Sequence, residues 1–262
     1  AMPNTQPPLG YYSASDDQLY FQAPSNADPN VLNVKAAVKP HGVYVHWNVH
    51  HIKVQDLDFR YQTEASVMNS GGYNVTVQDC HFTDTYKGIH SFGHDGLFTG
   101  NTIEHTFATA AHIMEDDAVI SNNTFQDVAL YPGLGETTWG YMGLRVNGQS
   151  YTVSNNSFNN IGYIAINPEG SGTIEKNFVS QAMATLNDGG GIAFDNADGL
   201  IIQDNIITDL IGNLESSAPD FDNYVPINHG IYFGNTSFRN KMWRRNSVSK
   251  CAGSGIHVDH TM

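Results

Sequence analysis

Eight times along the 262 residues a short block recurs: a polar residue, then usually Asn, then a hydrophobic residue two places later. The blocks are Gln55-Asp56-Leu57-Asp58-Phe59, Gln78-Asp79-Cys80-His81-Phe82, Thr99-Gly100-Asn101-Thr102-Ile103, Ser121-Asn122-Asn123-Thr124-Phe125, Ser154-Asn155-Asn156-Ser157-Phe158, Glu175-Lys176-Asn177-Phe178-Val179, Gln203-Asp204-Asn205-Ile206-Ile207 and Arg244-Arg245-Asn246-Ser247-Val248. Their last residues are separated by 23, 21, 22, 33, 21, 28 and 41 positions. A base period near 22 with occasional insertions is the signature of a solenoid.

Each block follows a short alternating run, such as Tyr73-Asn74-Val75-Thr76-Val77 or Gly199-Leu200-Ile201-Ile202. Alternation with β-branched residues reads as strand, and no helical period lies between the runs. A leucine-rich repeat is excluded by the missing Leu consensus and helical half. The expectation is an all-β chain: a parallel β-helix solenoid of about eight to nine coils stacked ~4.8 Å apart. The Asn column is expected at the bends, taking the left-handed backbone conformation and bonding coil to coil. Apparent glycosylation sequons at Asn122 and Asn155 fall in these bend blocks.

Residues 1–40 contain Pro7-Pro8, Pro24, Pro29 and Pro40 and no bend block, so they read as an extended capping segment with one strand at Gln18-Leu19-Tyr20-Phe21. Residues 41–262 form the β-helix, whose ninth coil opens at Gly255-Ile256-His257-Val258-Asp259 and stops at Met262. An uncapped C-terminal coil open to self-association is expected. Cys80 and Cys251, six coils apart, lie about 29 Å from each other and cannot bridge. With 26 acidic and 12 basic residues and a net charge of −14, nucleic acid and anionic membranes are poor partners. No apolar run spans a bilayer, and no signal peptide is visible in the chain.

Aligning one strand per coil from its Gly-hydrophobic start, with Tyr163-Ile164 as the sixth, gives an outward column Tyr44, Met68, His90, His112, Arg145, Ala165, Ala193, Tyr232, His257. Two residues on, the column is His46, Ser70, Phe92, Met114, Asn147, Asn167, Asp195, Gly234, Asp259. Ala165 and Ala193 are expected to floor a cleft walled by His112 and Arg145 on one side and by Tyr232 and His257 on the other. The long intervals add Tyr131, Glu136, Trp139, Tyr141, Asp188, Phe221, Tyr224 and His229 beside it. Rings for the C–H face of a sugar and Asn, Arg and Asp for its hydroxyls point to a carbohydrate partner. Candidate substrate-binding residues are His90, His112, Arg145, Asn147, Asn167, Trp139, Tyr232, His257 and Asp259.

Glycoside hydrolysis needs two carboxyl groups beside the bond. Asp188 and Asp195, at the ends of Asp188-Gly189-Gly190-Gly191-Ile192-Ala193-Phe194-Asp195, are the candidate catalytic pair, with Asp259 and Glu169 as substitutes. No cofactor is expected. A calcium ion near His90, His112 and Glu115-Asp116-Asp117 is a weaker expectation, because no HxH or HExxH motif is present.

Leu19-Tyr20-Phe21-Gln22-Ala23-Pro24 with Asp28-Pro29, the bend ladder, and Asp188-Gly189-Gly190-Gly191-Ile192 together resemble the right-handed parallel β-helix carbohydrate-active enzymes. The nearest flavour is the glycoside hydrolases that include lacto-N-biosidase and some β-xylosidases. That resemblance implies a right-handed coil, a secreted or periplasmic setting, and an active-site aspartate at Asp188 with Asp195 as partner. Gly191 departs from the Ala of the family's Asp-Gly-Gly-Ala-Ile strand. The alternatives are a β-helix polysaccharide lyase and a non-catalytic carbohydrate-binding or adhesin module. Arg145 suits a lyase, but no Lys shares its columns, since Lys87 precedes a strand and Lys176 sits in a bend block.

Overall fold

The computed structural model describes residues 10–13, 15, 18–21, 28, 31, 37–195, 197–213, 227–234 and 242–259. The chain divides into two units, Ala1–Ala36 and Ala37–Met262. In the first, Gly10–Ser13 pairs antiparallel with Gln18–Phe21. Most of the expected capping segment, and Phe221 and Tyr224, lie outside the described residues.

The second unit is all β, with no α-helix among the described residues. Nine strands, from Lys39–Val45 to Ile256–Val258, stack along one face, and eight, from Asp58–Arg60 to Ser247–Cys251, along another. A third row joins Lys53–Gln55, Thr76–Gln78, Leu97–Thr99 and Val119–Ser121. Successive coils pair in parallel, as a parallel β-helix requires. Alternate side chains turn inward and stack on their counterparts one coil away. Phe59 lies flat on Phe82 at 5.0 Å, and Phe125 on Phe158 at 4.5 Å. Each such buried ring contributes about 1.5–3 kcal/mol.

The bends assign their two central residues different duties. The left-handed conformation belongs to the residue before the Asn column: Asp56, Asp79, Gly100, Asn122, Asn155, Lys176, Asp204 and Arg245, with φ between 50° and 69°. The Asn column itself turns inward. Asn101 donates from Nδ2 to Asn123 Oδ1, Asn123 to Asn156, Asn156 to Asn177 and Asn177 to Asn205, each at 3.0 Å, and Asn205 donates to Asn246 at 2.9 Å. The second Nδ2 proton goes to a main-chain carbonyl and each Oδ1 also accepts a main-chain N–H, as at Asn156. The ladder therefore satisfies every amide that it buries. The expectation that the column occupies the left-handed positions is corrected, and its coil-to-coil bonding is observed.

The inward anchors run Val43, Val67, Ile89, Ala111, Leu144, Ile166, Ile192, Ile231, Ile256. The sixth anchor is thus Ile166, and the alignment on Ile164 was two residues out of register. The residue before each anchor is small: Gly42, Ser66, Gly88, Ala110, Gly143, Ala165, Gly191, Gly230, Gly255. A Cβ on Gly143 would approach Phe158 to 2.9 Å, and one on Gly191 would approach Ile207 to 2.7 Å. Tyr163 cannot fill such a position, whereas Ala165 can. Ala165 is fully buried in this column, so it is no part of an outward floor. Ala165→Leu is expected to cost about 1–3 kcal/mol by overpacking, read as a lower urea midpoint. An outward alanine would tolerate the change.

Candidate functional site

With the register restored, the outward column reads His90, His112, Arg145 and Asn167, followed by Ala193, Tyr232 and His257. Asn167 Nδ2 donates 2.7 Å to the Ala193 carbonyl, which closes the step between coils. The next column carries Asn147 beside Glu169, with Asp195, Gly234 and Asp259 following the paired Phe194, Phe233 and Val258.

A cleft of about 520 Å³ opens on this face. Asn167 and Ala193 are part of its lining, together with Trp139, Met142, Tyr163 and Tyr232. Glu169, Asp188, Asp195 and Asp259 supply four carboxyl groups to its lining, and Arg145 is the one cation among the described lining residues.

Asp188 is held by its backbone. Its φ is 65°, an uncommon setting for a residue with a side chain, and Tyr163 Oη donates 2.6 Å to its main-chain carbonyl. Partial burial, then the nearby Asp259 and Asp195 carboxylates, push its carboxyl above the usual range against an opposing pull from His257. At the other end of the strand, a Cβ on Gly234 would lie 1.9 Å from Asp195 Oδ1. Glycine at 234 therefore leaves the space that the Asp195 carboxyl occupies. Tyr232 Oη donates 3.2 Å to Asp259 Oδ2, and burial, then Asp188 and Asp259, raise its own proton affinity.

Arg145 donates from Nε and Nη2 to Glu169 Oε1 at 3.2 and 2.8 Å, while Asn147 holds Oε2 at 3.0 Å. Glu169, given only a substitute's part by sequence reasoning, is thus the partner of the site's guanidinium. Asn147 acts on the cleft through that carboxylate and does not line it.

The remaining candidates fall elsewhere. His90 and His112 stack at 5.0 Å outside the cleft lining. Burial first, with nearby positive groups, depresses them to about 4 and 3, so both are uncharged near neutral pH. His257 borders a neighbouring cavity with Asp188, Tyr232 and Asp259. Trp139 and Tyr141 have parted: Trp139 is 59% exposed, while buried Tyr141 accepts the Gly133 N–H and packs its own loop. Glu115 is only 2% exposed and accepts from Ser91 and Asn69, so it belongs to the interior. Among the described residues no group of three or more His, Cys, Asp or Glu is placed to hold a metal ion. Tyr163 and Met142 were missed by sequence reasoning, and for Tyr163 the available signal was its misfit to the small-residue column.

A family model described as right handed beta helix region matches residues 98–262. The chain belongs to this right-handed β-helix family. Its β-helix is similar to the A-module of a mannuronan C-5 epimerase from Azotobacter vinelandii, at 12% identity and a TM-score of 0.49, over 81% of this chain and 64% of that one. The chain thus spans less than two thirds of that module. An alginate lyase from Paenibacillus sp. is similar at 10% identity and a TM-score of 0.34, over 87% of this chain and 92% of that one. The catalytic domain of an α-1,3-glucanase is similar at 13% identity and a TM-score of 0.29, over 87% of this chain and 63% of that one. Likenesses at this level concern the β-helix alone. No curated protein matches the chain in sequence.

Proposed function

We propose that the cleft hydrolyses a glycosidic bond in an uncharged oligo- or polysaccharide, with Asp188 and Asp195 as the acting carboxyl groups. The carrying observation is that these two residues, at the ends of one strand, line one cleft with the rings of Trp139, Tyr163 and Tyr232. Asp188, with its raised proton affinity, serves as the general acid. It gives its proton to the linking oxygen as the bond from that oxygen to the anomeric carbon breaks. Asp195 serves as the ionised partner that supports attack at the anomeric carbon.

The charge balance favours an uncharged sugar. Four carboxyl groups line the cleft, and the Arg145 guanidinium is already engaged by Glu169. A uronate would meet a field of its own sign. β-Elimination is less well supported for the same reason, since no Lys is among the described lining residues and Arg145 is taken. Such substrates are polymers met outside the cytoplasm, so we place the protein there. Among the described residues no helix is long and apolar enough to cross a membrane.

The test is release of reducing ends from neutral tetrasaccharides built from glucose, xylose, mannose and N-acetylglucosamine, with uronate tetramers alongside. Turnover of a neutral member supports the reading, and an ultraviolet-absorbing unsaturated uronate would replace it with a lyase. The pH profile adds a signed expectation. Activity should fall as pH rises through the Asp188 pKa, which burial and the neighbouring carboxylates raise from the ordinary aspartate value. Asp259→Asn removes the largest carboxylate contribution to that shift, so the basic limb should move to lower pH; a limb that stays in place removes Asp188 as the acid.

A further inference from the structure

We propose that the second cavity, on the His257 side of Asp188, receives the sugar on the leaving side of the scissile bond. This rests on the hydrolase reading and assigns that site a second subsite. The cavity measures about 440 Å³. Asp188, Tyr232 and Asp259 line both this cavity and the cleft, so they form the ridge between two spaces. A chain with one sugar in each space places its linking oxygen over that ridge, beside the proposed acid.

The second cavity also has a built aromatic side. His229 and His257 stack with centroids 4.2 Å apart, Tyr232 and His257 at 5.3 Å, and His229 and Tyr232 at 5.5 Å. The Ser254 main-chain N–H donates 2.9 Å to His229 Nδ1, so the ring proton sits on Nε2. Burial, then His257, lowers the His229 pKa to about 4, which keeps this ring uncharged near neutral pH. Stacked rings suit the C–H face of a pyranose. In the reaction the Asp188 proton and the electron pair of the broken bond both go to the linking oxygen. That oxygen becomes a free hydroxyl on the sugar in the second cavity, while water supplies the new oxygen at the anomeric carbon and its proton passes to the partner carboxylate.

The experiment compares two substrates of one sugar: the neutral tetrasaccharide hydrolysed fastest, and the corresponding glycosyl fluoride, whose leaving group is too small to use the second cavity. Ser254→Trp fills the cavity and His257→Ala removes a ring. In both variants the ratio of tetrasaccharide to fluoride kcat/KM should fall about 10-fold or more, because binding energy remote from the reacting bond is lost. Turnover of the fluoride shows in the same assay that the variant is folded. An unchanged ratio in both variants overturns the subsite and leaves the hydrolase reading standing. Wild-type turnover of a glycosyl fluoride but not of any tetrasaccharide overturns the subsite and the oligosaccharide hydrolase reading together. Absence of wild-type turnover on either substrate overturns the hydrolase reading and the subsite with it.

Discussion

Asp188→Asn is expected to lower kcat on the responsive tetrasaccharide by about 10²–10⁴-fold, the usual contribution of a general acid. Asn keeps the shape of the side chain and tolerates the left-handed backbone that this position adopts at φ 65°. The hydrogen bond from Tyr163 reaches the main-chain carbonyl, so it survives the change. Stability supplies the control. A carboxyl whose folded pKa is raised contributes stability at pH below its unfolded pKa and loses it as pH rises through the folded value. Above its folded pKa the wild-type carboxylate is therefore a cost, and there Asp188→Asn should unfold at the same temperature or higher. Loss of turnover with retained Tm would tie the effect to chemistry. Asp195→Asn should show a comparable loss, and full activity in both variants would sink the assignment.

Asn156→Ala is expected to destabilise the fold by about 3–5 kcal/mol. Asn156 is 2% exposed. Its Oδ1 accepts the Asn123 main-chain N–H and Nδ2, and its Nδ2 donates to Asn177 Oδ1 and to the Ile120 carbonyl. Truncation strips the buried Asn123 main-chain N–H of its acceptor and takes one bond each from Asn123 Nδ2, Asn177 Oδ1 and the Ile120 carbonyl, at about 1–3 kcal/mol for each buried group left unsatisfied. Asn122→Ala, at the exposed left-handed position of an adjacent block, should cost about 1–2 kcal/mol. Urea denaturation of the two variants separates the duties, and near-equal midpoints would mean that the ladder is not a principal source of stability.

The period, the strands and the parallel stacking are local or periodic properties, and the spacing of the eight blocks reveals them. Register between coils is not local. Ile164 and Ile166 satisfy alternation equally well, and only the small-residue column, where Ala165 fits and Tyr163 does not, decides between them. In Asn122-Asn123 and Asn155-Asn156 two adjacent amides compete for the inward place. The blocks with Lys176-Asn177 and Arg245-Asn246 indicate that the second residue takes it. Sequence could nominate Asp195, Tyr232 and Asp259 from the counted columns, and Asp188 from its place where a loop turns into the strand beside a Gly triplet. It could not separate Trp139 from Tyr141, since which ring a loop of residues 129–143 turns inward depends on contacts such as that between Tyr141 and Gly133. Nor could it show that Glu169 engages Arg145, which required the correct register.

The amide ladder keeps its 3.0 Å spacing from Asn123 to Asn156 and from Asn177 to Asn205, although those steps enclose 33 and 28 residues. Added residues leave the coil and return without disturbing the bonds of the ladder. Foldability and selectivity are therefore separately mutable: a lineage can lengthen, shorten or replace the segments around the carboxyl groups while the amide column continues to specify where each turn of the chain must come to rest. Loop exchange would reshape the cleft with the amide column left untouched.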